Sequence, residues 1–420
     1  MVRKIQVFEH ETLDKYALCN DGSRLGPEVI DGLWKYNDAN QQKYFIGTRN
    51  GVKFKSYVGV IQISNTVIEI LPKADKNKSA DFDKWQNVLL QMLKISGRLK
   101  IESLTTADLN QKPHSILDLY FQLYLNQLEF LLHSGLFKKY QQTEGNILTL
   151  KGSLAFSKNI QYNLVHKERF YTKHQQYTYD HLIHQILLNA LLVLKNINLK
   201  ATLTDRINRI LFAMPEIKEV RIGHSHFESI VWDRKTVPYK EAINIARLII
   251  LNYSPDIYGG NENLIAILFD MNKLWEEFIT VCLDKNLRGR YQVKRQNTRI
   301  FWNNKTIRPD IYFEREHSNT IDTLERFIID TKWKIVEDNQ PSDEDLKQIF
   351  AYNAHWGSKN SLLLYPTSAK DKMHVTGIYA HKFKDTDQHH CNLGFVNVIE
   401  NGKLNVNFDA SVLAMLEGVA

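Results

Sequence analysis

Two aspartates and one lysine carry the sharpest chemical signal in the chain. Thr306–Glu314 reads TIRPDIYFE, and Arg326–Lys334 reads RFIIDTKWK. Each is an apolar run of the kind that forms a strand. Pro309-Asp310 lies in the first, and Asp330-Thr331-Lys332 closes the second. Side chains alternate along a strand, so Ile328, Asp330 and Lys332 share one face while Phe327, Ile329 and Thr331 share the other. If the segments pair, two carboxylates and an amine converge at one edge of a small sheet. Carboxylate oxygens are the ligands that Mg²⁺ takes. A lysine beside them can hold or deprotonate an attacking water and stabilise charge on a phosphate. D-x-K by itself is a weak sign, because charged residues at strand ends are common. The Pro-Asp on a neighbouring apolar strand sharpens it.

The elements that must position this group follow from the flanking patterns. Asp345–Tyr352 reads as a helix after Pro341, with Gln348 and Tyr352 one turn apart on a shared face. The plain alternative is a core tyrosine beside a surface glutamine. Met271–Ile279 reads as a helix continuing from the apolar run Leu264–Phe269. Its stripe is Met271, Leu274, Trp275, Phe278 and Cys282. At about 100° per residue, Glu277 falls marginally nearer that stripe than Glu276. Strands are expected at Tyr291–Gln296 and Thr298–Trp302, with Asn303-Asn304 as a turn into the Asp310 strand. Further strands are expected at Ser361–Pro366, Gly377–Ala380 and Leu393–Val398, then a closing helix at Ser411–Glu417.

Upstream the character differs. Strands are expected at Lys43–Ile46, Phe54–Ile63 and Val67–Leu71, with Asn50-Gly51 as a hairpin signal and one helix near Gly26–Trp34. No catalytic grouping occurs there, which suits a docking module. Ser115–His133 and Tyr179–Ile197 are strongly amphipathic, and Thr204–Met214 and Tyr239–Tyr253 look helical too. Ile147–Phe156 reads as a short extended piece. His181 and His184, one turn apart, could ligate a metal but lack an obvious third ligand. His389-His390-Cys391 reads as a loop. Lys167–His174 mixes cations with aromatics; phosphate contact is one reading, but a solvated face beside a core aromatic explains it better.

Composition bounds the rest. At 420 residues the chain exceeds one ordinary core, so two or three domains are expected. With 43% hydrophobic and 24% charged residues it is globular. A formal net charge of +7 and a pI near 9.0 suit a polyanionic partner. Cys19, Cys282 and Cys391 are too sparse for a disulfide framework, which points to a reducing compartment. MVRKIQVFEHE lacks the apolar core of a signal peptide, and Leu182–Leu194 is interrupted by polar residues. A cytoplasmic location is therefore expected. No G-x-x-x-x-G-K-[ST] loop, G-x-S-x-G elbow or H-E-x-x-H motif is present. An energy-dependent process would need its motor on another chain.

The ordered motifs resemble a known nuclease superfamily. Pro309-Asp310 with Asp330-Thr331-Lys332 looks like a PD-(D/E)xK core. Tyr57–Ile61 followed by Val67–Lys73 (VIEILPK), the KGSL segment at Lys151–Leu154 and YTYDHLIHQIL at Tyr177–Leu187 resemble the McrC family, the nuclease subunit of McrBC modification-dependent restriction systems. His184 stands where an asparagine is more typical. The resemblance spans roughly residues 5 to 365.

The resemblance implies a multidomain α+β protein: a β-rich N-terminal docking domain over 1–100, a mainly helical middle domain over 101–260, and an α/β PD-(D/E)xK endonuclease domain over 261–420. It implies Mg²⁺ held by Asp310 and Asp330 with Glu276, matched by the pattern MNxLxExF, as a helix acid. It also implies Lys332 at the attacking water, with Gln348 and Tyr352 near the phosphate. The partners it implies are a McrB-like AAA+ GTPase ring, stimulated by the N-terminal part, and double-stranded methylated DNA. Methylcytosine would be read by the ring, and whole complexes could dimerise for double-strand cleavage. Two other readings stay open: a non-cleaving activator of the motor, and a stand-alone repair-type nuclease.

Overall fold

The computed structural model describes residues 3–74, 81–99, 115–197, 199, 201–254, 263–287, 292–295, 297–316, 324–336, 340–368, 374–380 and 388–417. The chain forms two compact units. One takes in Met1–Lys4, Val60–Val67 and Glu102–Ile267. The other takes in Ile5–Gly59, Ile68–Ile101 and Leu268–Ala420.

In the second unit a six-stranded mixed sheet carries the two aspartate segments. Its order is Gln292–Arg295, Ile311–Glu316, Leu324–Thr331, Asn360–Thr367, His390–Asn397 and Val375–Ile378. Leu324–Thr331 pairs antiparallel with Ile311–Glu316 and parallel with Asn360–Thr367. Parallel neighbours need a crossover, and helix Asp343–Trp356 supplies it. Ser342 caps that helix by accepting from the Asp345 N–H at 3.3 Å. Three acids fill its first turn, where the helix dipole favours them. Gly357, at φ +65°, ends it in the left-handed conformation that glycine adopts most easily. Ile349, Tyr352 and Trp356 bury against Ile328, Leu363 and Tyr365 of the sheet. The helix is thereby fixed over the strand that ends in Asp330.

A five-stranded sheet has the order Arg3–Phe8, Thr66–Leu71, Tyr57–Ile63, Leu264–Asp270, Tyr253–Ser254. Leu264–Asp270 corrects an expectation. It is a strand, and the helix Met271–Leu287 begins only after it. A short, wholly apolar run has no period to tell helix from buried strand. Two boundaries also move. Phe54–Ile63 is two strands, Gly51–Phe54 and Tyr57–Ile63, and the first N-terminal helix extends to Pro27–Ala39.

The first unit holds helices Ile116–Ser134, Leu182–Asn196, Ala201–Ala213 and Lys240–Leu251, close to the expected positions. It also holds a three-stranded sheet, Lys139–Ile147, Phe170–Thr178 and Ser153–Leu154, with the helix Phe156–Asn163. The two long strands escaped the sequence reading because KYQQTEGNI and FYTKHQQYT bury almost nothing and show no apolar alternation. His390 and Cys391 lie on the strand His390–Asn397, not in a loop. Cys391 and the neighbouring His389 are both buried. His389 stacks on Tyr379, with ring centroids 4.6 Å apart.

Candidate active site

The register of the antiparallel pair builds the site. Ile311 faces Ile329, so the next position places Asp310 across from Asp330. Opposed residues on neighbouring strands point to the same side. Asp310 Oδ2 accepts from the Thr331 N–H at 2.7 Å and from Thr331 Oγ1 at 2.9 Å. Those bonds aim the carboxylate and hold its loop to the end of the strand. Asp330 is fully buried. Its Oδ2 lies 2.6 Å from Lys332 Nζ, while its Oδ1 has no hydrogen-bond partner.

The remaining residues form a chain of bonds. Lys332 Nζ donates to Gln348 Oε1 at 2.9 Å. Gln348 Nε2 donates to the Tyr352 hydroxyl at 2.7 Å. Tyr352 in turn donates to the Arg308 carbonyl at 2.8 Å. Gln348 is therefore not a bystander on the surface, and Tyr352 serves both core and site. Asp310, Asp330, Lys332, Gln348 and Tyr352 all meet at one end of the sheet.

Glu276 and Glu277 part company. Glu276 Oε1 is 3.9 Å from Arg308 Nη2. Burial, then the Asp310 charge, push its carboxyl up to about 7. Glu277 instead takes Arg98 in a two-pronged ion pair, with Arg98 Nε 2.8 Å from its Oε2. Glu276 thus feels the Asp310 charge, although helical spacing alone places Glu277 marginally nearer the buried stripe.

Electrostatics concentrate here. Burial, followed by the Asp310 charge, lifts Asp330 to about 7. Burial also raises Asp310, against the Thr331 hydrogen bonds and the Lys332 charge. For Lys332 burial opposes the charge, but Asp330 and Asp310 prevail and its pKa rises, so it stays an ammonium. Carboxyl groups raised by burial in this way mark a site short of positive charge.

Does this donor set fit Mg²⁺? Among the described residues no three His, Cys, Asp or Glu side chains gather as a ready-made cage. Mg²⁺ does not need one: it keeps several waters and uses one or two carboxylates plus substrate phosphate. Asp310 and Asp330 supply all-oxygen ligands, and the buried Asp330 Oδ1 has no hydrogen-bond partner in the chain. The set fits.

The sequence reading missed the support behind the D-x-K segment. Trp333 Nε1 donates to Glu9 Oε1 at 2.5 Å, and the Lys73 N–H donates to the same oxygen at 3.1 Å. Burial pushes Glu9 up to about 8. Glu9, His10, Lys73, Trp333 and Lys334 line a cavity of about 220 Å³. No spacing rule links positions so far apart in sequence. Lys334 pairs with Asp345, which also accepts from the Tyr365 hydroxyl at 3.3 Å. The histidine pair at 181 and 184 serves packing. His181 Nε2 sits 3.2 Å from the Phe137 carbonyl and His184 Nδ1 sits 2.7 Å from the Tyr179 carbonyl. Burial drives His184 down to about 3. In the basic stretch at 167–174, Lys173 pairs with Glu144 at 2.9 Å.

Comparison with known proteins decides the family. Residues 52–366 match the model of the McrBC 5-methylcytosine restriction system component. The chain belongs to that family. No curated protein matches it. Two solved structures of Thermococcus gammatolerans are similar. One is a chain of the refined half-complex from a tetradecameric assembly of McrB AAA+ hexamers with bound McrC. It has a TM-score of 0.68 and 17% identity, covering 99% of this chain and 100% of that one. The other comes from the cryo-EM structure of the McrBC complex. It has a TM-score of 0.51 and 19% identity, covering 68% of this chain and 88% of that one. At such identities the likeness is one of fold. Among the described residues no helix is long and apolar enough to cross a membrane.

Proposed function

We propose that this McrBC-family chain is an McrC-type subunit: the Mg²⁺-dependent endonuclease of a GTP-dependent, 5-methylcytosine-directed restriction complex, with a PD-(D/E)xK core. One observation carries the reading. Asp310, Asp330 and Lys332, joined to Gln348 and Tyr352 by consecutive hydrogen bonds, converge at one sheet end with their carboxylates short of a cation.

Asp310 and Asp330 would hold Mg²⁺, with Glu276 assisting from the helix. When bound, the cation supplies Lewis-acid polarisation of the phosphate and acidifies a water. Lys332, kept charged by its carboxylates, orients the attacking water and donates to the phosphate oxygen as negative charge builds. Gln348 fixes the amine by accepting its hydrogen bond. Tyr352 fixes Gln348 and pins the Arg308 carbonyl, two residues before Asp310. The water gives up a proton to solvent as its oxygen bonds to phosphorus, one P–O ester bond breaks, and the leaving oxygen takes a proton from solvent.

Partnership with a McrB-like AAA+ GTPase ring is part of the proposal. The fold likeness to a McrB–McrC assembly supports it, as does the lack of a phosphate-binding loop in this chain. The β-rich N-terminal domain is the expected dock. The module Lys139–Thr178 is a second candidate, because it holds Leu148, Phe156, Ile160, Leu164 and Val165 in water.

The test is plasmid cleavage with Mg²⁺, by wild type and Lys332→Ala, with and without a McrB-type partner and GTP, on methylated and unmethylated DNA. Cleavage that needs partner, GTP and methylation, and is lost in the variant, is the expected result. Cleavage by the lone chain would favour a stand-alone nuclease. GTP hydrolysis stimulated without any cleavage would leave only the activator role.

A further inference from the structure

Just before Pro309-Asp310 the chain makes a hairpin, Arg299–Trp302 antiparallel to Lys305–Ile307. It is a two-stranded sheet of its own. Asn303 in its turn takes φ +47°, a conformation asparagine tolerates better than most residues. From Thr298 to Thr306 every residue is exposed. A hairpin open to water on both faces is marginal alone. This one places Ile300, Phe301 and Trp302 consecutively in solvent, 69%, 52% and 65% exposed. Three large apolar side chains in a row at the surface mark a contact surface.

Charge tells which kind of contact. Thr298–Arg308 carries Arg299, Lys305 and Arg308 and no acid, so the surface complements a polyanion. Trp302 and Lys305 are cross-strand partners, so an aromatic wedge and a cation stand side by side. The base of the hairpin is anchored to the crossover helix. Arg299 donates to the His355 carbonyl and lies 4.9 Å from the Trp356 ring. Ile307 precedes Asp310 by three residues, a span of at most about 10 Å. The base of the hairpin therefore lies within reach of the candidate metal site, close enough for one nucleic acid to meet both.

We propose that Arg299–Arg308 is a DNA-gripping arm. Trp302 and Ile300 wedge against bases of the duplex flanking the scissile phosphate, and Lys305 and Arg308 hold the adjoining phosphates. The proposal rests on the nuclease reading and adds how the substrate is held. Apolar wedges flanked by cations are how proteins unstack and kink duplex DNA.

The test uses the full chain, a fluorescein-labelled DNA duplex and anisotropy in EDTA, so that binding is read without cleavage. Ile300→Ala/Trp302→Ala should weaken binding about tenfold. Lys305→Ala should lower the slope of log K against log salt by about 1. Thermal unfolding, measured alongside, should not change, because these side chains are exposed. Wild-type affinity and slope in both variants would overturn the proposal, as would a wild type that does not bind duplex. Retained duplex binding with lost capture of a McrB-type GTPase would overturn it in favour of a protein contact. Failure of the nuclease reading shows differently: a wild type that binds duplex but gives no Mg²⁺-dependent cleavage with partner and GTP.

Discussion

At the end of strand Leu324–Thr331 this protein buries charge; in the module Lys139–Thr178 it exposes apolar surface. Asp330 is wholly inaccessible, with one carboxylate oxygen lacking a hydrogen-bond partner. Phe156 and Val165 are 71% and 84% exposed. Both choices oppose folding, the first through desolvation and the second through forgone burial. Each makes sense where something outside the chain completes the structure. On the proposed function a cation would complete the first region and a macromolecular surface the second. The difference in what is withheld, charge or apolar contact, tells the two kinds of completion apart.

The largest effect should come from Asp330. Asp330→Asn should reduce cleavage by about a thousandfold or more, while stimulation of the partner's GTPase survives. It should also stabilise the fold at alkaline pH. The folded-state pKa of Asp330 is raised to about 7 from an ordinary 3.8. The folded state thus binds the extra proton, and stability falls as pH rises through that window. Above pH 7 the burden is fully present, on the order of a few kcal/mol. Thermal unfolding at pH 8 should therefore show a higher Tm for Asp330→Asn, with the gain fading by about pH 4. Added Mg²⁺ should raise the wild-type Tm at pH 8 and not the variant's. A variant no more stable than wild type at pH 8 would remove the strain from the comparison.

The exposed module should behave in the opposite sense. Phe156 and Ile160 lie four residues apart on one short helix and share a face. Replacing both with serine should leave stability within about 0.5 kcal/mol. Affinity for a McrB-type partner should fall about thirtyfold, measured by titration calorimetry. Unchanged affinity would return the docking role to the N-terminal domain.

How far the sequence disclosed all this depends on range. Asp310, Asp330 and Lys332 were legible because alternation along a strand fixes their faces, and Gln348 and Tyr352 because helical spacing pairs them. Thr331 was assigned to the opposite face, yet its N–H and hydroxyl hold Asp310; a neighbouring strand brings the acceptor to it. The Glu9–Trp333 bond joins positions 324 residues apart, which no local pattern encodes. Leu264–Asp270 was misread because uniform apolarity carries no period. The long strands of the exposed module were invisible because they have no buried face to alternate.

A smaller effect should separate position from chemistry. Tyr352→Phe removes the hydroxyl that links Gln348 to the Arg308 carbonyl. One such bond is worth about 1 kcal/mol, so kcat should fall roughly fivefold with KM for DNA little changed. Gln348→Ala should match it, and the double variant should add little, because both act on one amine. Additive losses would mean that Tyr352 touches substrate independently of Lys332.

The smallest expected effects lie on adjacent residues, where the contrast between buried charge and solvated surface is sharpest. Glu276 shares the field of Asp310 and is held near pH 7 by burial. Glu277, one position on, spends its charge on a half-exposed Arg98. Exposed pairs contribute about 0–1 kcal/mol, so Glu277→Gln should leave cleavage and its pH profile unmoved. Glu276→Gln removes a negative charge from beside Asp310. The acid limb of the pH–rate profile should then move to lower pH, because Asp310 loses its proton more readily. The plateau should drop about threefold as one candidate ligand becomes a weaker donor. If the two substitutions gave the same profile, the helix would contribute no acid to the site, and the metal would rest on Asp310 and Asp330 alone.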